Sequence, residues 1–342
     1  MLVQVKRATT TALALVSLMS VSGPLAAADY FAGKTITVQV PSGSGGTYHV
    51  YCQLVQRSIG SYIPGHPKTL IQNKPGGGGA SSAAFMMNAA PKNGTYIAMI
   101  APGTISTSLV RKVKFDPRKF NWLGSVAARS AAVFIWHTHG ITTLDQLKHQ
   151  EVTIGSTGFS ASGSLLPRLI NTLLGTKMKI IYGYKGGGAI NVAIESGEAM
   201  GRWVFRSGLT GVRPTWLPEK KVVPIIATGP RDPAFNGVPH LRDLLAPGSV
   251  GQKMYDVVGM DLEVGQAFYA PPGTPDKVVN ILRKAFADMI ADPATKAEIA
   301  RRRVEFSPLS ADEVVAKIKA GFDAATPEVI EGLKKVHSKT KA

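Results

Sequence analysis

Two hydrophobic patterns alternate through the first third of the chain. Thr35 to Val40 (TITVQV) is a short β-branched run and reads as a buried strand that Pro41 stops. Small residues follow, Ser42-Gly43-Ser44-Gly45-Gly46. Beyond them Val50, Tyr51, Leu54, Val55 and Ile59 recur at helical spacing, with Thr47 placed to cap the helix. The same succession then repeats. Thr69 to Gln72 is strand-like, Asn73 to Gly79 (NKPGGGG) is a second glycine-rich turn, and Ala80 to Ala90 is helical. After a turn at Lys92-Asn93-Gly94, Tyr96 to Ile100 is again a strand. Strand, loop, helix, strand is the rhythm of parallel α/β folds.

A second block keeps that rhythm. A short helix through Leu144 and Leu147, behind Thr142, leads to a strand at Val152 to Gly155. The turn Ser156-Thr157-Gly158-Phe159-Ser160 precedes a helix over Leu165 to Leu174 and a strand at Lys179 to Tyr182. Lys185-Gly186-Gly187-Gly188 opens a helix from Ala189 to Ser196, and Val222 to Ala227 predicts one more strand. Towards the C-terminus Thr274 and Pro275 fit N-cap and first helical position, before Val278, Ile281, Leu282, Ala285 and Met289 on one face. Ser310-Ala311-Asp312-Glu313 is a capping box ahead of Val314, Val315 and Ile318.

The first 28 residues have a different character. Lys6 and Arg7 precede an uncharged run from Ala8 to Ala28 that ends Ala26-Ala27-Ala28, the layout of a secretory signal peptide. Ser22, Gly23 and Pro24 interrupt the run, which makes it a poor membrane span. The mature chain is expected to start near Asp29, in the periplasm. Its single cysteine, Cys52, has no partner for an internal disulfide and reads as a small buried hydrophobe. The formal charge of the whole sequence is +17, of which Lys6 and Arg7 contribute two. Such a balance favours anionic ligands. Nucleic acid is not indicated: the basic residues are scattered, and no zinc-finger, zipper or RNA-binding signature occurs.

Four turns share one form, in which a strand ends, small residues turn and a helix begins: Ser42–Thr47, Pro75–Ala80, Ser156–Ser160 and Lys185–Gly188. Glycine lets the backbone approach a ligand, and a helix N-terminus offers unpaired N–H groups with a partial positive charge. Together they make a cradle for an anion. Ligands of open α/β sheets bind beyond the C-terminal ends of the strands. A nucleotide is disfavoured, because Tyr48 stands where a dinucleotide fingerprint has its third glycine and no phosphate-binding P-loop occurs. Gly158-Phe159-Ser160-Ala161-Ser162 misses a nucleophile elbow at its last position, so Ser160 is not read as catalytic. His137 and His139 would share one face of a strand, with no further ligand nearby to make a metal site. No catalytic residue, cofactor or metal is expected.

In order and spacing these segments resemble the extracytoplasmic receptors of tripartite tricarboxylate transporters, often called the Bug family. The likeness runs from about Phe31 to Phe322. Its landmarks are Pro41-Ser42-Gly43-Ser44-Gly45-Gly46, Gln72-Asn73-Lys74-Pro75-Gly76-Gly77-Gly78-Gly79, Pro91-Lys92-Asn93-Gly94-Thr95-Tyr96, Tyr184-Lys185-Gly186-Gly187-Gly188 and Ala270-Pro271-Pro272-Gly273-Thr274-Pro275. The resemblance implies an α/β, two-domain periplasmic-binding-protein fold, or Venus flytrap. Each domain is a mixed sheet flanked by helices, with the ligand cleft between them. It places 29–129 plus 263–342 in domain 1 and 130–262 in domain 2. It implies a monomer that captures a small organic carboxylate by closure and delivers it to the membrane subunits of the transporter. A periplasmic receptor feeding a sensor kinase, or an enzyme acting on a carboxylate or ester, are the alternatives.

The expected ligand-binding residues follow from the turns: Ser42, Gly43, Gly45, Gly46, Thr47 and Tyr48 in the first, Gly77, Gly78, Gly79 and Ala80 in the second, Ser156, Thr157, Gly158 and Ser160 in the third, Lys185 and Gly186 in the fourth. Two departures from the family pattern add to them. His49 stands where the family usually has Asp, which disfavours an amino-acid ligand if the side chain faces the cleft. Arg202 or Arg206, in the unusually basic Met200–Arg206, is expected to read the distal carboxylate of a dicarboxylate or aromatic acid.

Overall fold

The computed structural model describes residues 30–338, apart from 45, 46, 160 and 303. The expected signal peptide and the expected ligand residues Gly45, Gly46 and Ser160 lie outside the described residues. Along the chain come β1 (Thr35–Val40), α1 (Thr47–Tyr62), β2 (Lys68–Asn73), α2 (Ala80–Asn88), β3 (Tyr96–Met99), α3 (Thr104–Val110), β4 (Asn121–Ser125), β5 (Ala131–Trp136), α4 (Leu144–His149), β6 (Val152–Gly155), α5 (Ser162–Leu174), β7 (Met178–Ile181), α6 (Gly187–Glu195), β8 (Gly201–Phe205), α7 (Arg206–Thr210), β9 (Val222–Thr228), α8 (Val250–Val264), β10 (Ala267–Ala270), α9 (Asp276–Ala291), α10 (Pro293–Arg301), β11 (Leu309–Ser310), α11 (Ala311–Ala324) and α12 (Pro327–His337).

The strands form two mixed sheets, in the orders β11-β4-β10-β3-β1-β2 and β7-β6-β8-β5-β9. In each a parallel part carries the strand–turn–helix units: β1 between β2 and β3, and β6 between β7 and β8. The remaining strands run antiparallel, β10 against β3 and β4, and β5 against β8 and β9. The centre of the first sheet is covered on both faces. Ile36, Val38 and Val40 of β1 pack with Tyr51, Leu54, Val55 and Ile59 of α1. On the other face Gln39 donates to the Ser82 hydroxyl of α2 at 2.7 Å. A polar side chain is tolerated there because it is hydrogen-bonded. Cys52 is fully buried in α1, as a small hydrophobe, and burial pushes its thiol pKa up. Around the second sheet Ile154, Leu165, Leu169, Ile226 and Val258 belong to one apolar cluster.

The chain passes between the two lobes twice side by side. The Val126 amide donates to Gln266 O, the Gln266 amide to Ala127 O, and the Arg129 amide to Leu262 O. A Cβ on Gly265 would fall 2.0 Å from Ala127 O, so only glycine lets the two crossings lie this close. After β11 the chain returns across α8. Its last helix, α12, buries Val329, Leu333 and Val336 in the second lobe's core. That helix falls within 263–342, the stretch expected to belong with the first domain.

Two local expectations are corrected. His137–His139 is a single 3-10 turn after β5 and not part of a strand, so the two histidines do not share a strand face. Helix α9 starts at Asp276 with Pro275 as its cap residue, and the Thr274 hydroxyl donates to Pro271 O. Helix α4 lies behind Thr142 as expected, with a capping box of Thr143 and Gln146. The capping box at Ser310 and Glu313 stands as expected.

Candidate functional site

The turns beyond β1, β2 and β3 face the start of α5 across the gap between the lobes. Together they enclose a cavity of about 320 Å³. From the first lobe come Ser42, Gly43, Tyr48, Gly78 and Gly79, and from the second Ala161 and Ser162. The cavity continues past Gly77 and Ala80 towards Thr104, Arg111 and His337. No Asp or Glu is among the lining residues of either part.

Turn two owes its shape to four consecutive glycines, Gly76 to Gly79, all with positive φ. Such a run is closed to side chains bearing a Cβ unless strain is accepted. Gly79 is the tightest: a Cβ there would sit 2.3 Å from Ala101 Cβ and 2.9 Å from the Thr104 hydroxyl. The turn thus packs against the next one, Ala101–Gly103, which carries α3. Turn one is held by Asn73, whose side-chain amide donates to Ser42 O at 2.8 Å. His49 lies against Gln53 at 3.0 Å and Asn73 at 3.4 Å, so it braces this turn and is not among the lining residues. Thr47 begins α1 and does not line the cavity either.

In turn three the buried Ser156 hydroxyl is bonded to the Ser164 hydroxyl at 2.6 Å, and Ser164 also bonds Gly158 O. Ser156 and Gly158 therefore shape the turn and Thr157 is exposed, while Ala161 and Ser162 just beyond them line the cavity. Turn four stands apart. Lys185 is exposed, Gly186 caps α6, and neither lines the cavity. Nor are Arg202 and Arg206 brought to it. Arg202 lies beneath turn four, almost buried, and its Nη1 donates to Gly187 O and to the Asn191 side chain, both at 2.8 Å. Arg206 pairs with Asp232 and Glu305 beside the crossing strands. Both guanidinium groups are engaged by the protein itself, the physical reason they do not reach the expected place.

Behind Tyr48 the crossing is built around Arg129, which is fully buried. Its Nη2 donates to Gln266 at 2.7 Å. Its guanidinium lies 5.2 Å from the Tyr48 ring of the first lobe and 5.4 Å from the Phe205 ring of the second. Burial lowers its pKa, against the nearby charges of Asp261 and Glu305. Asp261 is also buried and accepts from the Ile105 and Ser106 amides at 3.0 and 3.1 Å, capping α3 from across the core. Burial raises its pKa to about 6, although those bonds and Arg129 oppose the rise. Among the described residues no group of three or more His, Cys, Asp and Glu is placed to hold a metal ion.

A cleft between two mixed-sheet lobes, lined by turns at strand ends, is shared with known proteins. Residues 65–325 match the family described as tripartite tricarboxylate transporter family receptor. The chain belongs to that family. The receptor is 23% identical over 283 residues to a UPF0065 protein of Bordetella bronchiseptica, covering 81% of this chain and 79% of the relative. Its fold is that of Rpa4515 of R. palustris, solved with adipate (TM-score 0.64, 18% identity, 89% of this chain and 97% of that one). It is equally that of MatC of Rhodopseudomonas palustris, solved with bound malate (TM-score 0.60, 18% identity, 89% and 99%). As a member of that family it is a receptor that binds a substrate. Among the described residues no helix is long and apolar enough to cross a membrane.

Sequence reading passed over two parts of the receptor's cleft and the arginine buried behind it. The Ala101-Pro102-Gly103 turn follows a strand and opens a helix at Thr104, the same grammar as the other four, so it was open to detection. Ala161 and Ser162 needed only a shift of two residues along turn three. Arg129 had no local signal, since its burial arises where distant segments cross.

Proposed function

We propose that this receptor captures a small organic carboxylate between the turns of its two lobes, closes over it, and presents it to the membrane subunits of a tripartite tricarboxylate transporter. The observation that carries the reading is the lining itself. Turns and helix starts from both lobes converge on one cavity with no carboxylate among its lining residues. Oriented N–H groups there can hold an anion without a charged side chain. Adipate and malate in two proteins of the same fold agree with this class of ligand. Closure is a hinge motion at Val126–Ser130 and Val264–Gln266. In it α12 travels with the second lobe, because its apolar face is part of that core. The protein acts as a monomer, exported by way of its first 28 residues.

A thermal-shift screen of the purified protein against dicarboxylates, tricarboxylates, aromatic acids and amino acids tests this. A ligand at a hundred times its dissociation constant stabilises by about 2.7 kcal/mol. For domains of this size that raises Tm by several degrees. A rise with one class of acid is expected. No response to any acid, with a response to amino acids, would overturn the reading.

A further inference from the structure

Besides the ligand cavity the lobes meet at a second place. A cavity of about 420 Å³ lies between them, lined by Ser130, Arg206 and Asp232 on the side of the second lobe and by Glu305 and Phe306 on the side of the first. Among the described residues it has no lining residue in common with the ligand cavity. In the first sheet the crossings leave β4 and enter β10. The strands β3, β1 and β2, with their turns, lie on one side of that pair and β11 on the other. In the second sheet the crossing enters β5, with β6 and its turn on one side and β9 on the other. Glu305 precedes β11, and Asp232 follows β9. The crossings therefore separate the ligand cavity from this cluster.

Glu305 is anchored in the first lobe and reaches into the second. Its backbone O accepts from the Tyr51 hydroxyl of α1 at 2.8 Å. Its Oε1 accepts from the Ser207 amide at 3.3 Å and from the Ser130 hydroxyl at 3.2 Å, a hydroxyl that Asp232 shares. The same oxygen lies 3.5 Å from Arg206 Nε, which Asp232 holds from the other side at 2.5 Å. Burial raises the pKa of Glu305, against Arg206, Ser207 and Ser130. Its Oε2 is buried with no hydrogen-bond partner among the described residues. A buried carboxylate with one oxygen engaged and the other bare gains little over its cost, so the contact can be made and released as the lobes turn.

Two contacts on opposite sides of a hinge cannot both tighten. Rotation about the crossings that brings the glycine turns onto the start of α5 draws Glu305 away from Ser130, Arg206 and Ser207. We propose that Glu305 is a latch behind the hinge: its contact with the second lobe favours the open receptor and is given up when the cleft closes. Arg206, expected from sequence to touch the ligand, acts instead on the lobe equilibrium from the far side of the hinge. An open state that must be left before capture lowers the apparent affinity by the fraction of molecules ready to close. The proposal rests on closure of the lobes and not on the class of ligand.

Pulsed electron–electron double resonance between nitroxide labels at Gln72→Cys and Lys185→Cys tests it. Both positions are exposed, on or just after the strands farthest from the crossings, β2 and β7, and the native Cys52 is buried. In the ligand-free parent a long distance is expected to dominate. Glu305→Gln, and separately Arg206→Gln, should move a measurable share of molecules to a shorter distance. Calorimetric titration with adipate and with malate should then give a Kd about threefold or more below that of the parent. Loss of a ligand contact, or general damage to the fold, would weaken binding, so the sign of the change separates the roles. Circular dichroism confirms that each variant is folded, and if one is not, the other gives the same readout. Unchanged distances in the folded variants would overturn the latch, and so would weaker binding of either acid. If neither acid binds, the distances alone decide. A parent whose distance stays the same when saturated with an acid it binds would overturn closure itself.

Discussion

At Gly79 a backbone with φ near +100° and a neighbour 2.3 Å from any added Cβ leave no room for alanine. At Gly78, one residue earlier, φ is +66° but nothing lies within 4 Å of the added atom. The pair separates conformation from crowding. Gly78→Ala should cost about 1 kcal/mol, the strain of a left-handed alanine. Gly79→Ala should cost about 3 kcal/mol, since turn two must also move off Ala101. Urea denaturation reads both, and equal costs would mean that the approach of the two turns is soft. Asp261 makes a second prediction. Its folded pKa of about 6 lies above the ordinary aspartate value of about 4, so between these limits the folded state holds a proton the unfolded state has lost. Its contribution to stability therefore falls as pH rises through that window. His337, lowered to about 4, has the opposite slope over much of the same range, because there the unfolded state holds the extra proton. The comparison must be between variant and parent. Asp261→Asn should gain on the parent by up to about 3 kcal/mol as pH rises from about 4 to about 6. A flat difference would show that Asp261 ionises in the folded state as it does in the unfolded chain.

Among the elements α12 is the one whose contribution can be isolated. Val329 and Leu333 are essentially inaccessible, and Val336 nearly so, all against the second lobe's core. Leu333→Ala should cost about 3 kcal/mol, as for other buried leucines. Val315→Ala, on the half-exposed face of α11, should stay within about 0.5 kcal/mol. Equal effects would mean that α12 is not part of that core. The same helix marks where sequence reading stopped. Elements with strong local patterns were legible: β1 spans Thr35–Val40 as expected, and the α1 face of Tyr51, Leu54, Val55 and Ile59 is the buried one. The glycine turns were legible too, because positive φ and close packing demand a particular residue. The antiparallel partners β5, β8 and β10 were not, since pairing direction is set by contacts between distant segments. Arg202 misled for a related reason. Its residue type suits a ligand carboxylate, but Gly187 and Asn191 meet it first, and only the packing of α6 on β8 places them there.

Over the whole molecule charge and architecture combine. Lys and Arg number 39 against 22 Asp and Glu. Many of these carboxylates are occupied in surface pairs, such as Lys284 with Asp288 and Arg231 with Asp243, which contribute little to stability. Within the cleft the residues that line the cavity include Arg111 and no carboxylate. A low-dielectric cleft of one sign focuses the field and raises the encounter rate of an oppositely charged ligand. Such steering depends on the range of the field. That range shrinks from about 30 Å at 0.01 M salt to about 8 Å at 0.15 M. Dissociation depends instead on contacts inside the closed cleft, where salt screens weakly. Stopped-flow association of a dicarboxylate should therefore slow several-fold across this range of salt, while the dissociation rate changes much less. The dimethyl ester of the same acid, tested at concentrations where it binds, should show no such dependence. If the diacid associates equally fast at both salt concentrations, the excess positive charge serves the surface and not the cleft. Capture would then rest on the turns at the strand ends.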